Sequence, residues 1–288
     1  EGAGWGASLE VPSPADEAST FALVEPASPM WDREQDTAAL LELAAQVEQG
    51  HCRLLTLTGD LGVGKSLLVK ELGSQLSEAG RFQVLKGSFG RGEGASSALR
   101  GALEGWLGCT GRSRDEVERI LDELLRRYGV DVTAPRSDLL DFLRPGSGSG
   151  GGFHQRRNFA AFTGLLRLLA MQRPVLLILE DLHEAAPDIS DFLSLVLVES
   201  TLDPLRLLVA TTGRRGEGHS ATRRALARLM VDHPTGAQEH ELGPLGLDAL
   251  AEGLRLEGLS PDAAWTVARR AAGNPLFARL MAEGLSDT

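Results

Sequence analysis

Residues 54–72, LLTLTGDLGVGKSLLVKEL, decide the reading of this chain. The segment opens as a short apolar, β-branched run, breaks at closely spaced glycines, and resumes as a helical pattern. Of the 29 basic residues only three are lysines, Lys65, Lys70 and Lys86, so general surface charge does not explain a lysine between Gly64 and Ser66. Residues 59–66 fit G-x-x-x-x-G-K-[ST], the pattern of a phosphate-binding loop. The spacing has a mechanical reason. Gly59, Asp60, Leu61, Gly62, Val63 and Gly64 fold around an anion, with successive N–H groups aimed at it, and the loop opens into the positive end of a helix that starts through Lys65, Ser66 and Leu67. Lys65 reaches the β- and γ-phosphates as a compact charge, a slot too small for arginine's planar fork, and Ser66 offers a hydroxyl to Mg²⁺. Residue frequencies multiplied over the pattern give roughly 0.005 chance matches in a chain of this composition.

A carboxylate-bearing strand is expected downstream, and PVLLILEDLH, residues 174–183, supplies it. Its apolar run ends in Glu180 and Asp181, at the edge where open α/β sheets bind ligands. Glu180 is expected in the Mg²⁺ shell, partly through water, and Asp181 is expected to orient or deprotonate the attacking water. Acids after a strand often meet only solvent; here the loop upstream favours the chemical reading. No lysine follows Asn or Thr, so the Asn-Lys-x-Asp signature for guanine is missing and ATP is favoured.

The remaining composition is that of an ordinary soluble domain, with 42% hydrophobic and 24% charged residues in 288. No apolar run is long enough to cross a bilayer, and no secretory leader is visible, so neither membrane nor export is expected. The two cysteines make neither a disulfide framework nor a zinc site, which suits the cytoplasm. Of the net charge of −11, the first 50 residues carry −9. A nearly neutral body argues against nucleic acid as a direct partner.

Residues 1–28, rich in Ala, Ser, Pro, Glu and Gly, read as an acidic linker or tail, and the start at Glu1 reads as part of a longer protein. From residue 29 to 242, short apolar strands alternate with helical patterns, among them a capping box at Ser113 and Glu116 and a Gly/Ser-rich loop at 144–152. From 243 to 288 the pattern is helical only. The expected fold is α/β: a P-loop NTPase parallel sheet sandwiched by helices, followed by a small all-α lid.

The string VLLILEDLHEAAPDISDFLSLVL, residues 175–197, together with the phosphate loop, resembles the signal-transduction ATPases with numerous domains, the STAND class. The likeness is to bacterial ATPase modules of large LuxR-type regulators and of kinase- or cyclase-linked ATPases, relatives of the nucleotide-binding domains of immune and apoptotic switches. In that family a hydrophobic-Gly-Arg-Glu motif meets the base; here Met30, Trp31, Asp32, Arg33 and Glu34 match it, with Asp32 in the place of glycine. LRLLVATTGR, residues 205–214, is similar to the family's sensor strand, which makes Arg214 the γ-phosphate arginine, with Thr212 its polar neighbour and Arg215 beside it. Gly273-Asn274-Pro275 resembles the G-x-P motif, whose proline packs on adenine; Gly ending one helix and Pro opening the next is also ordinary punctuation.

The resemblance implies ATP or ADP and Mg²⁺ as ligands, effector and sensor domains on the same longer chain, and possible nucleotide-dependent self-assembly. Glu180-Asp181 departs from the Asp-Glu order of many related ATPases; the shorter base implies slow hydrolysis. Three other readings compete: a nucleotide-binding scaffold without turnover, an AAA+-type ATPase acting on DNA or protein, and a small-molecule kinase. The lid and the EDLH string count against the kinase.

Overall fold

A computed structural model of the protein describes residues 30–129, 133–146 and 152–286. The expected acidic tail at 1–28, and positions 147–151 of the Gly/Ser-rich loop, lie outside the described residues. The apolar runs become five strands: β1 (Cys52–Thr58), β2 (Gln83–Ser88), β3 (Val175–Glu180), β4 (Leu207–Thr212) and β5 (Ala237–Glu241). They form one sheet in the order β2-β3-β4-β1-β5, every neighbouring pair parallel. Alternate side chains of β3 enter opposite cores, Val175, Leu177 and Leu179 one and Leu176 and Ile178 the other. Burial on both faces is why this strand reads as an unbroken apolar run instead of an alternation.

Helices α1 (Glu34–Glu48) and α2 (Lys65–Glu78) cover one face through residues such as Leu40, Leu68 and Leu72. The other face takes side chains from α3 (Ala95–Leu107), α4 (Arg114–Arg127), α5 (Thr133–Leu143), α6 (Gly152–Gln172), α7 (Ile189–Leu202) and α8 (Ser220–Asp232). The capping box forms at α4: Ser113 Oγ accepts from the Glu116 N–H, and Glu116 Oε2 accepts from the Ser113 N–H at 2.9 Å. Two of these helices, α3 and α5, are not marked in the sequence. Gly101 and Gly105 interrupt the α3 pattern and Pro135 falls in the first turn of α5, so local propensity is weak and tertiary burial makes up the difference.

The C-terminal helices α9 (Leu247–Leu256), α10 (Pro261–Ala271) and α11 (Pro275–Ser286) share a core of their own around Leu250, Leu254 and Val267. One residue from the far end of the chain joins it: Trp31, only 7% exposed. The expected fold class is the observed one. No helix among the described residues is long and apolar enough to cross a membrane.

Candidate functional site

The sheet order places the site. Because β4 lies between β1 and β3 and all three run parallel, the segments leaving their C-terminal ends share one edge. A cleft of about 290 Å³ opens there between the core and the helical unit. It is lined by the loop from Leu61 to Leu67, by Asp181, His183, Thr212 and Arg214, and from the helical unit by Pro275, Leu276 and Arg279, with Met30, Trp31 and Arg33 at one end.

The loop after β1 needs its glycines. Gly59, Gly62 and Gly64 have φ of 153°, 82° and 102°. At Gly62 the space is also taken, since a Cβ there would lie 2.7 Å from Asn274 Oδ1. Lys65 is buried, and its Nζ donates to the carbonyls of Gly59 at 2.9 Å and Asp60 at 2.8 Å. Gly59 and Asp60 therefore hold the lysine without lining the cleft. Burial, and then the neighbouring positive charge of Arg214, hold the Lys65 pKa below the ordinary lysine value. Ser66 stands exposed at the cleft wall.

The two acids after β3 part company. Glu180 remains in the strand, and its carboxylate pairs with Lys86 Nζ on β2 at 2.7 Å; it does not line the cleft. Asp181 adopts a left-handed backbone, φ 60° and ψ 41°, and does line it, with a side chain 56% exposed. Its N–H donates to Thr212 Oγ1 at 3.4 Å, which ties the end of β3 to the end of β4. Arg214 also lines the cleft, pairing with Glu217 at 3.2 Å, whereas Arg215 turns away to Glu241 at 2.8 Å. The His183 side chain is 5% exposed, 4.0 Å from Asp181 and 3.5 Å from Glu184, and its Nδ1 has no hydrogen-bond partner among the described residues.

For Mg²⁺ the residues present fit a site with few protein ligands. The Ser66 hydroxyl and the Asp181 carboxylate are hard oxygen donors on one cleft, and phosphate and water complete such a shell. Glu180 fits the role assigned from sequence only by exchanging its bond to Lys86. No cluster of three or more His, Cys, Asp or Glu suited to a metal occurs among the described residues.

The segment before α1 joins both halves. Asp32, standing where a glycine would, takes φ 48°, a left-handed conformation that Asp tolerates better than most residues. On one side of it Trp31 lies against Gly253, with the Arg279 guanidinium 4.5 Å from its ring centroid. On the other, the buried Arg33 Nη2 donates to the carbonyls of Val63 at 3.0 Å and Gly243 at 2.7 Å. Trp31 is thus engaged with the helical unit while it also lines the cleft.

Sequence reasoning passed over Asn274. Its Oδ1 accepts from the N–H groups of Leu276 and Phe277, capping α11, and its Nδ2 donates to the Leu61 carbonyl at 2.7 Å. The signal for the cap was present, Asn directly before a Pro-initiated helix. No signal marks Leu61 as its partner, because 213 residues separate the two.

The family model described as AAA ATPase domain matches residues 32–210. Among solved structures, Cdc6p from Pyrobaculum aerophilum superposes with a TM-score of 0.56 at 18% identity, covering 93% of this chain and 64% of that one. The ADP form of the Aeropyrum pernix ORC2 protein gives 0.53 at 14%, covering 93% and 68%. Drosophila ORC bound to DNA gives 0.50 at 15%, covering 96% and 60%. At these identities the likeness is one of fold, and this chain spans about two thirds of those proteins' lengths. No curated protein matches. The fold occurs in a protein bound to DNA, so the expectation that this chain has no nucleic-acid partner is not borne out.

Proposed function

Since this chain belongs to the AAA ATPase domain family, we propose that it is an ATP-binding, slowly ATP-hydrolysing switch module of the STAND class, working in the cytoplasm as part of a larger signalling protein. One observation carries the reading: the phosphate loop, Asp181 and Arg214 of the core share a single cleft with Pro275 of the helical unit. A ligand in that cleft touches both bodies, so ATP and ADP can favour different lid positions. Free, buried Cys52 and Cys109 suit a reducing compartment.

In this reading residues 29–242 are the core and 243–288 the lid. Lys65 holds the β- and γ-phosphates, Met30, Trp31 and Pro275 flank the base, and Ser66 with an acid holds Mg²⁺, which when bound neutralises phosphate charge. Asp181 orients a water whose oxygen bonds to the γ-phosphorus as the bond to the β–γ bridging oxygen breaks. The water's proton passes to the carboxylate, and Arg214 balances the charge on the transferred group. Effector and sensor domains on the longer chain, and self-assembly in the ATP state, complete the proposal.

The first test is to denature the purified protein and identify the nucleotide released, then to compare phosphate release with a Lys65→Ala variant. Bound ADP and a turnover lost with Lys65 are expected. Turnover equal to that of Lys65→Ala would make the protein a non-hydrolysing scaffold, and failure of either nucleotide to bind would end the proposal.

A further inference from the structure

Five consecutive carbonyls of the phosphate loop, Gly59 to Val63, each accept a hydrogen bond. Lys65 Nζ takes those of Gly59 and Asp60. The next three are taken by groups outside the loop: Leu61 O by Asn274 Nδ2 at 2.7 Å, Gly62 O by the Leu276 N–H at 3.3 Å, and Val63 O by Arg33 Nη2 at 3.0 Å. Every described peptide bond is trans, and in a trans peptide the N–H points opposite the C=O. Fixing those three carbonyls from outside therefore turns the N–H groups of Gly62, Val63 and Gly64 the other way, as an anion-binding nest requires.

We propose that Asn274 is a positioning residue for phosphate binding, which couples the helical lid to the orientation of the phosphate-loop peptides. Two of the three outer donors, Asn274 and Leu276, belong to the lid. When the lid leaves, the Leu61–Gly62 and Gly62–Val63 peptides lose what holds them, and the nest loses its preorganisation. By reciprocity, an anion in the nest favours the docked lid. Asn274 suits the task because one side chain does both jobs: Oδ1 caps α11 and Nδ2 reaches the loop. This assignment presupposes that the cleft binds nucleotide, as proposed above.

Asn274→Ser separates cap from coupling, since serine caps a helix about as well as asparagine but has no amide to donate. The parent chain is compared with two variants, Asn274→Ser and Asn274→Ala. Three readouts are followed: the thermal midpoint without nucleotide, the affinity and release rate of a fluorescent ADP, and the distance distribution between spin labels on the lid and the core. The labels go at Leu256→Cys and Leu202→Cys, positions 76% and 84% exposed. For Asn274→Ser the expected result is a parental midpoint, ADP affinity lower by about five- to tenfold, the equivalent of one net hydrogen bond, and a broader label distribution without nucleotide. Asn274→Ala is expected to match it in affinity and to melt earlier. If Asn274→Ser holds ADP and keeps the label distribution as the parent does, Asn274 is only a helix cap and the proposal falls. A parent chain that binds no ADP would overturn the nucleotide reading instead, and the label distances would still decide whether Asn274 holds the lid.

Discussion

At Asp181 a single backbone conformation separates two acids that stand side by side in sequence. Glu180 continues β3 and meets Lys86, while the left-handed turn at Asp181 brings its carboxylate to the cleft that Lys65 and Arg214 also line. The two variants should therefore behave differently. Asp181→Asn is expected to keep nucleotide affinity and to slow phosphate release by about 10²–10⁴-fold, the usual weight of a general base. Glu180→Gln is expected to raise the Mg²⁺ concentration needed for half-maximal turnover while leaving the proton-transfer step in place. A Mg²⁺ titration of phosphate release distinguishes them, and an unchanged titration for Glu180→Gln would confine that residue to its bond with Lys86. The pair itself was legible in the sequence. The choice of which acid lines the cleft was not, because it depends on φ at position 181 and on a lysine 94 positions away from Glu180.

At the scale of elements, the back of the sheet depends on a cap delivered from a distance. The N-cap of α3 is Gly94, which has no side chain to offer, and the Ala95 N–H is met by the Asp188 carboxylate at 3.0 Å and 3.1 Å. Gln155 of α6 donates to the same carboxylate at 2.7 Å, so one residue ahead of α7 joins three helices. Burial holds the Asp188 pKa above the usual carboxylate value, and the donated bonds oppose that shift. Asp188→Ala leaves these donors unmet in a half-buried place, at a cost of about 1–3 kcal/mol. Chemical denaturation should show a lower midpoint with an unchanged slope; a midpoint equal to the parent's would mean that water replaces the carboxylate. This arrangement explains why α3 escaped notice in the sequence: its cap comes from residue 188, and its own pattern is interrupted by glycines.

Across the whole molecule, contacts among the described residues that join the core to the helical unit include Asn274 with Leu276 on the phosphate loop, and the segment before α1, whose Trp31 belongs to the helical unit's core while Arg33 grips the loop and Gly243. Gly253 of α9 makes the second contact possible, since a Cβ there would lie 2.2 Å from the Trp31 ring. Gly253→Ala is expected to displace the indole, with a stability loss of about 1–3 kcal/mol as for other overpacked sites. It should also release ADP faster, because Arg33 loses its neighbour's anchor. Thermal melting and ADP dissociation measured on the same variant check this; a lower midpoint with an unchanged release rate would separate the Trp31 contact from nucleotide retention.

By itself the sequence determined the parallel sheet, the phosphate loop and the helical C-terminal unit, because each is written in local terms: strand runs buried on both faces, glycines at fixed spacing before a helix, and a change from alternating elements to helices alone. It also brought Arg214 and Pro275 forward as candidates, through family resemblance and not through spacing. Only the tertiary structure decided that Asp181 and not Glu180 lines the cleft, that Arg214 and not Arg215 joins it, and that Trp31 is built into the lid. The same holds for Asn274, which grips a carbonyl 213 residues away. The physical reason is common to all four. Local periodicity reports which face of an element is buried, whereas the partner of a polar group is set by which distant backbone the fold brings within about 3 Å of it.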